Sequence, residues 1–194
     1  MAVGPDGTWL ATAGQDGTVL IRDRATGAVT ATFTGHVGSA LCIAISQDGT
    51  WIVSGGRDGT VRIWDRASAA ATVLTAANSV YAVAISPDGT WIASTDGDTV
   101  RIWDRATRAT TATLTSHPAS ANALAISPDG AWLATASEDG TAHIWAAHGG
   151  QPVTAMRTEG VLSACAWAPS GHVVALAGGF GVYLFELQLG TTSL

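Results

Sequence analysis

At 194 residues, 47% of them hydrophobic and only 12% charged, the chain is long enough to bury a substantial core and too apolar to be disordered. Its net charge of −6, with every basic residue an arginine, argues against nucleic acid as a partner, because phosphate binders concentrate basic side chains. The sequence opens with no basic segment leading into an apolar stretch and has no run of about 18 apolar residues, which disfavours a signal peptide and a membrane span.

The 23 glycines and low charge suggest an all-β chain of short strands joined by tight turns. A repeat carries this further. PDGTW at residue 5 returns as QDGTW at 47, PDGTW at 87, PDGAW at 128 and PSGHV at 169, in steps of 42, 40, 41 and 41. LIRD at 20, RIWD at 62 and 101, HIWA at 143 and YLFE at 183 keep the same register.

In chain order, five units are expected at about 1–34, 35–75, 76–115, 116–157 and 158–194. The first opens with MAV, only the end of a first strand. The second shows the full pattern, with strands at 39–46, 50–55, 60–65 and 71–75. Asp48-Gly49 and Asp58-Gly59 separate its first three strands, since Gly accepts positive φ and Asp bonds nearby amides, so antiparallel hairpins follow. The third and fourth units repeat this. The fifth ends its recognisable strands with GVYLFEL, a third strand, and leaves open whether QLGTTSL at 188–194 forms a fourth. A four-stranded sheet with two apolar faces cannot stand alone, so neighbouring copies must stack. Radial stacking gives a β-propeller of about five blades, the first and last incomplete.

The Gly-His pair, the strand ending in Ser-Pro-Asp-Gly and the run Asp-Gly-Thr-Val-Arg-Ile-Trp-Asp resemble the WD-repeat β-propeller family over nearly the whole chain. The resemblance implies a hydrogen-bonded set inside each blade: His36, Ser54, Asp58 and Trp64 in the second, and His117, Thr135, Asp139 and Trp145 in the fourth. The other blades depart from it. Arg22 replaces the Trp of the first. The third has no His, and its STDGDTV is one residue shorter than SGGRDGTV, which displaces the turn aspartate to Asp96 or Asp98. The fifth has Thr158 near the His position, Phe180 near the turn and Phe185 in place of Trp.

Family members usually close with seven blades, which at this repeat length would need roughly 290 residues. Three arrangements stay open: a closed five-bladed ring, closure by another chain, or an arc of a longer protein. Open blade edges and faces invite association, so a homo-oligomer is expected if the arc stands alone. The ending SACAWAPSGHVVALAGGFGVYLFEL resembles the closing blade of WD-repeat tails in bacterial signal-transducing ATPases.

No catalytic set rises above the repeat. His36, His117, His143, His148 and His172 lack metal-ligand spacing, no Gly-x-Ser-x-Gly elbow occurs, and without a lysine there is no phosphate-binding loop, so no metal, cofactor or enzymatic activity is expected. Asp6, Asp48, Asp88 and Asp129 read as turn formers, and Trp9, Trp51, Trp91 and Trp132 as packing between blades. Cys42 and Cys165, far apart in apolar segments, read as buried free thiols in a reducing cytoplasm. The family resemblance implies a protein-interaction scaffold whose contacts fall on one face, at Gln15, Arg57 and Glu138 before the turn aspartates, and at Ser39, Leu41, Ser79, Tyr81, Ser120 and Asn122 after the His positions. A ligand- or glycan-binding propeller that uses its indoles, or blades that only complete a ring, are the alternatives.

Overall fold

The computed structural model describes residues 1–115, 117–147 and 152–187. Among these, every regular element is a strand. Sheet 1 holds β1 (Ala2–Val3), β2 (Trp9–Ala13), β3 (Val19–Asp23) and β4 (Val29–Phe33). Sheet 2 holds β5 (Ala40–Ile45), β6 (Trp51–Gly56), β7 (Thr60–Asp65) and β8 (Ala71–Thr75). Sheet 3 holds β9 (Val83–Ile85), β10 (Trp91–Asp96), β11 (Thr99–Asp104) and β12 (Thr110–Thr115). Sheet 4 holds β13 (Ala121–Ile126), β14 (Trp132–Ser137), β15 (Thr141–Ala146) and β16 (Pro152–Arg157), and sheet 5 holds β17 (Leu162–Trp167), β18 (Val173–Gly178) and β19 (Gly181–Glu186). Each sheet is an antiparallel meander in sequence order. Residues 188–194, where a fourth strand of sheet 5 was left open, lie outside the described residues, as does His148.

Turn chemistry sets these hairpins. Asp48 accepts from the amide of Thr50 at 3.0 Å and Gly49 takes a φ of +69°, a combination only Gly adopts cheaply. Asp6, Asp88 and Asp129 make the same bond to Thr8, Thr90 and Ala131. Register shifts recur between the third and fourth strands, at Ile21/Arg22, Ile102/Trp103 and Ile144/Trp145, and such bulges deepen strand twist.

The core lies between sheets. Alternation along a strand puts Ile52 and Trp64 on the face toward sheet 1, the leading face, and Val53, Val61 and Ile63 on the face toward sheet 3, the trailing face. Ile52 and Trp64 pack with Ala11, Val19, Ile21 and Phe33 of sheet 1. Val61 and Ile63 pack with Val80, Val83, Ile92 and Trp103 of sheet 3. Equivalent clusters join sheets 3 to 4 and 4 to 5. First strands follow one another around the arc, β1 against β5, β5 against β9, β9 against β13 and β13 against β17, and no comparable contact joins sheet 5 to sheet 1 among the described residues.

Candidate functional site

Two buried polar sets fix the loops at one end of the arc. In sheet 2, Trp64 Nε1 donates to Ser54 Oγ at 2.8 Å, and that hydroxyl lies 2.7 Å from His36 Nε2. His36 Nδ1 is 3.1 Å from Asp58 Oδ1. With Nδ1 donating to the carboxylate, Nε2 accepts from Ser54, and every member is satisfied. Asp58 also accepts from the Val37 amide at 2.9 Å and from the Thr60 hydroxyl at 2.8 Å. Burial alone would raise the Asp58 carboxyl, but the bonds from Val37, Thr60 and His36 outweigh it and hold it at about 2. Burial holds the His36 imidazole below its ordinary range, against the opposing pull of Asp58.

Sheet 4 repeats the set: His117 Nε2 lies 2.8 Å from Thr135 Oγ1, which accepts from Trp145 Nε1 at 3.0 Å. Its aspartate is less well served. His117 Nδ1 stands 3.5 Å from Asp139 Oδ2, and this buried oxygen has no hydrogen-bond partner among the described residues. Pro118 occupies the place of Val37 and has no amide hydrogen to give. His143 also crowds in, its ring centroid 4.4 Å from that of His117.

Sheet 3 solves the same problem with different residues. Of the two aspartates that the shortened turn left open, Asp96 is the one turned inward, 2% exposed. It accepts from the amides of Ala77 at 3.0 Å and Asn78 at 2.6 Å and pairs with Arg101 Nε. Arg101 thus supplies the side-chain donor that the missing His would bring, while Ser94 still accepts from Trp103 Nε1 at 2.8 Å. The sequence concealed this, because Arg101 stands at a strand position where Arg62 recurs as an ordinary repeat residue.

These sets sit beneath a connected rim. The Ser39 hydroxyl donates to the Gln15 carbonyl at 3.2 Å, the Arg57 amide donates to the Ser39 carbonyl at 2.8 Å, and the Ser79 hydroxyl donates to the Arg57 carbonyl at 3.2 Å. The Glu138 amide makes the matching bond to the Ser120 carbonyl at 3.0 Å. Gln15, Arg57, Glu138, Leu41 and Tyr81 are exposed, the two apolar ones at 38% and 45%. Ser39, Ser79, Ser120 and Asn122 are half-buried; the Asn122 side chain donates to the Leu162 carbonyl at 3.0 Å and so joins sheet 4 to sheet 5. The rim therefore divides into residues that hold the loops and residues that face outward.

At the opposite end, the Arg66 guanidinium carbon lies 4.2 Å from the centre of the Trp9 ring, and that of Arg105 lies 4.3 Å from Trp51. Each arginine reaches back one sheet. Trp9, Trp51 and Trp91 are buried, which leaves little indole surface for a ligand cage. Cys42 and Cys165 are free, and burial pushes both thiols up to about 12. Among the described residues, no group of three or more His, Cys, Asp or Glu side chains is placed to hold a metal ion.

Compared with known families, residues 1–23, 27–65, 70–104 and 108–146 match the WD domain, G-beta repeat. Each of the last three units begins at the outer strand of one sheet and ends at the third strand of the next, so neighbouring sheets share a repeat. No curated protein matches the chain.

Proposed function

The chain belongs to the WD-repeat family, and on that premise we propose that it is a non-catalytic scaffold that holds a protein or peptide partner against the rim carrying Arg57 and Tyr81. Domains of this family generally mediate protein–protein interaction. The observation that carries the reading is the relay from Gln15 through Ser39 and Arg57 to Ser79. It ties together the backbones of four successive rim loops while leaving the outward side chains to a partner, so little ordering entropy opposes binding. Arg and Tyr are the residue types that most often anchor such contacts, and Leu41 adds apolar area beside them. Gln15, Glu138, Ser120 and Asn122 extend the same surface. We place this activity in a larger cytoplasmic signalling protein, following the resemblance of the last sheet to bacterial WD-repeat tails.

The test is capture by immobilised chain. Arg57→Ala with Tyr81→Ala lowers partner affinity about tenfold or more, as expected when anchor residues are truncated, while the circular dichroism and melting temperature stay unchanged. Undiminished capture by the folded double variant rejects the assignment.

A further inference from the structure

Arg62 stands on the leading face of β7, between Thr60 and Trp64, at the strand position that Arg101 holds in β11. In sheet 3 that guanidinium finds a carboxylate, Asp96, through its Nε. In sheet 2 the corresponding carboxylate is already served, because Asp58 takes bonds from His36, Val37 and Thr60. Arg62 is left over. Its Nε is buried with no hydrogen-bond partner among the described residues, although donors covered in this way are nearly always paired. The room for its guanidinium depends on Gly35, where a Cβ would lie 2.5 Å from Nη1.

Arg57 is a second cation of this kind on the same sheet. Among the described residues the salt bridges are made by His36, Arg101 and His117, and neither Arg57 nor Arg62 enters one. The two arginines flank one loop. Residues 35–39 start against Arg62 at Gly35, pass the turn at Val37, whose amide bonds Asp58, and end at Ser39, whose carbonyl accepts from the Arg57 amide. Val37, in the middle of this loop, is 80% exposed. The turn of sheet 1 that lies against His36 and Gly38 carries Asp16, but the amide and hydroxyl of Thr18 hold that carboxylate at 3.0 and 2.7 Å. A chain of net charge −6 thus presents two cations around one exposed aliphatic side chain.

We propose that the partner held at this rim is acidic, and that it lays an extended segment across residues 35–39 with one carboxylate on Arg57, another on Arg62 and an apolar side chain between them on Val37. The inference rests on the rim reading above and names the chemistry of its partner. The occupant follows from charge complementarity, and sheet 3 already holds the contact: Arg101 with Asp96 is a guanidinium at the same strand position pairing with a carboxylate through Nε. Arg62 is only half-buried, so a rotation of its side chain brings the Nε edge to the surface, where a carboxylate accepts from two nitrogens at once. A segment with neutral amides in place of the acids loses both ion pairs.

The test is nuclear magnetic resonance on the whole chain, labelled with nitrogen-15 and titrated with the capped peptide Glu-Glu-Leu-Glu-Glu and with its glutamine analogue. The acidic peptide should shift the Nε–H signals of Arg57 and Arg62 and the Val37 amide together, and about 0.5 M salt should weaken its binding, since the pairs form at the surface. The glutamine analogue should bind about tenfold more weakly. Arg62→Gln should lower affinity for the acidic peptide about threefold or more with the rest of the spectrum in place, and Arg62→Lys, which keeps the charge but not the Nε edge, should recover only part of the loss. No shift at about millimolar peptide, equal shifts from the two peptides, or undiminished binding by Arg62→Gln overturns the proposal. Capture of a protein partner that is lost with Arg57→Ala and Tyr81→Ala but indifferent to salt and to Arg62→Gln keeps the rim as the binding face and overturns its acidic partner, whereas capture undiminished by the double variant rejects the rim itself.

Discussion

The guanidinium carbon of Arg105 lies 4.3 Å from the centre of the Trp51 ring, and so ties the third sheet to the second at the end of the arc away from the rim. Arg66 does the same for Trp9 one sheet earlier. Removing the cation uncovers an indole that is only 4% exposed. Arg105→Ala should cost about 1 kcal/mol, the range of a partly exposed cation–π contact, and lower the melting temperature by about 2–4 °C in a chain of this size. An unchanged melt would show the contact to be decorative.

Acid should weaken the fold in two stages. His36, His117 and His143 are held below their ordinary pKa, first by burial, and for His143 also by His117. A folded pKa below the unfolded one means that the unfolded chain takes up protons first, so stability falls as pH drops below about 6.5. Asp58, at about 2 when folded against 3.8 ordinarily, contributes stability above 3.8 that disappears as pH falls toward 2. Denaturant melts between pH 8 and pH 3 should show both slopes, and His143→Gln should flatten the first.

The amide of Val37 tests how much the aspartate set depends on one donor. Val37 is 80% exposed, so its side chain packs against little, yet its N–H bonds Asp58 Oδ2 at 2.9 Å. Val37→Pro should leave that oxygen with only His36 Nδ1, 3.2 Å away, cost about 1–3 kcal/mol and raise the Asp58 pKa. A carbon-detected titration of Asp58 with no upward shift would contradict this.

Among the described residues, two non-glycine residues sit in left-handed backbone at equivalent turns: Ala69 at φ +59° and Arg108 at φ +65°, where sheet 1 has Gly27 at +73°. Ala69→Gly and Arg108→Gly should each stabilise by up to about 1 kcal/mol, the strain relieved outweighing the added freedom of the unfolded chain. Gly27→Ala should move the other way. Chemical denaturation of the three variants decides it.

Much of this was legible because the repeat states its own turn chemistry. The Asp-Gly pairs marked the hairpins, and the second-unit strands expected at 50–55 and 60–65 appear at Trp51–Gly56 and Thr60–Asp65. His36, Ser54, Asp58 and Trp64 could be placed because family resemblance supplied their partners. What remained hidden depends on how sheets stack. Asn122 reads as a surface amide until β17 brings the Leu162 carbonyl to it. Arg66 and Arg105 follow the Trp-Asp pair in plain view, but nothing in a single repeat says that they reach back to the tryptophan of the previous one. Arg101 and Asp96 substitute for the His-based set through a turn one residue shorter; the shortened turn pointed to Asp96 or Asp98, but nothing in the repeat marked Arg101 as the partner.

Placing a photo-cross-linking residue at Tyr81, and in a second preparation at the exposed Thr107 on the opposite end, tests the interaction rim most directly. The expected result is a discrete protein adduct from Tyr81 that Arg57→Ala abolishes, and none from Thr107. Adducts of equal yield at both positions, or at Thr107 alone, would contradict the assignment of this rim as the binding face.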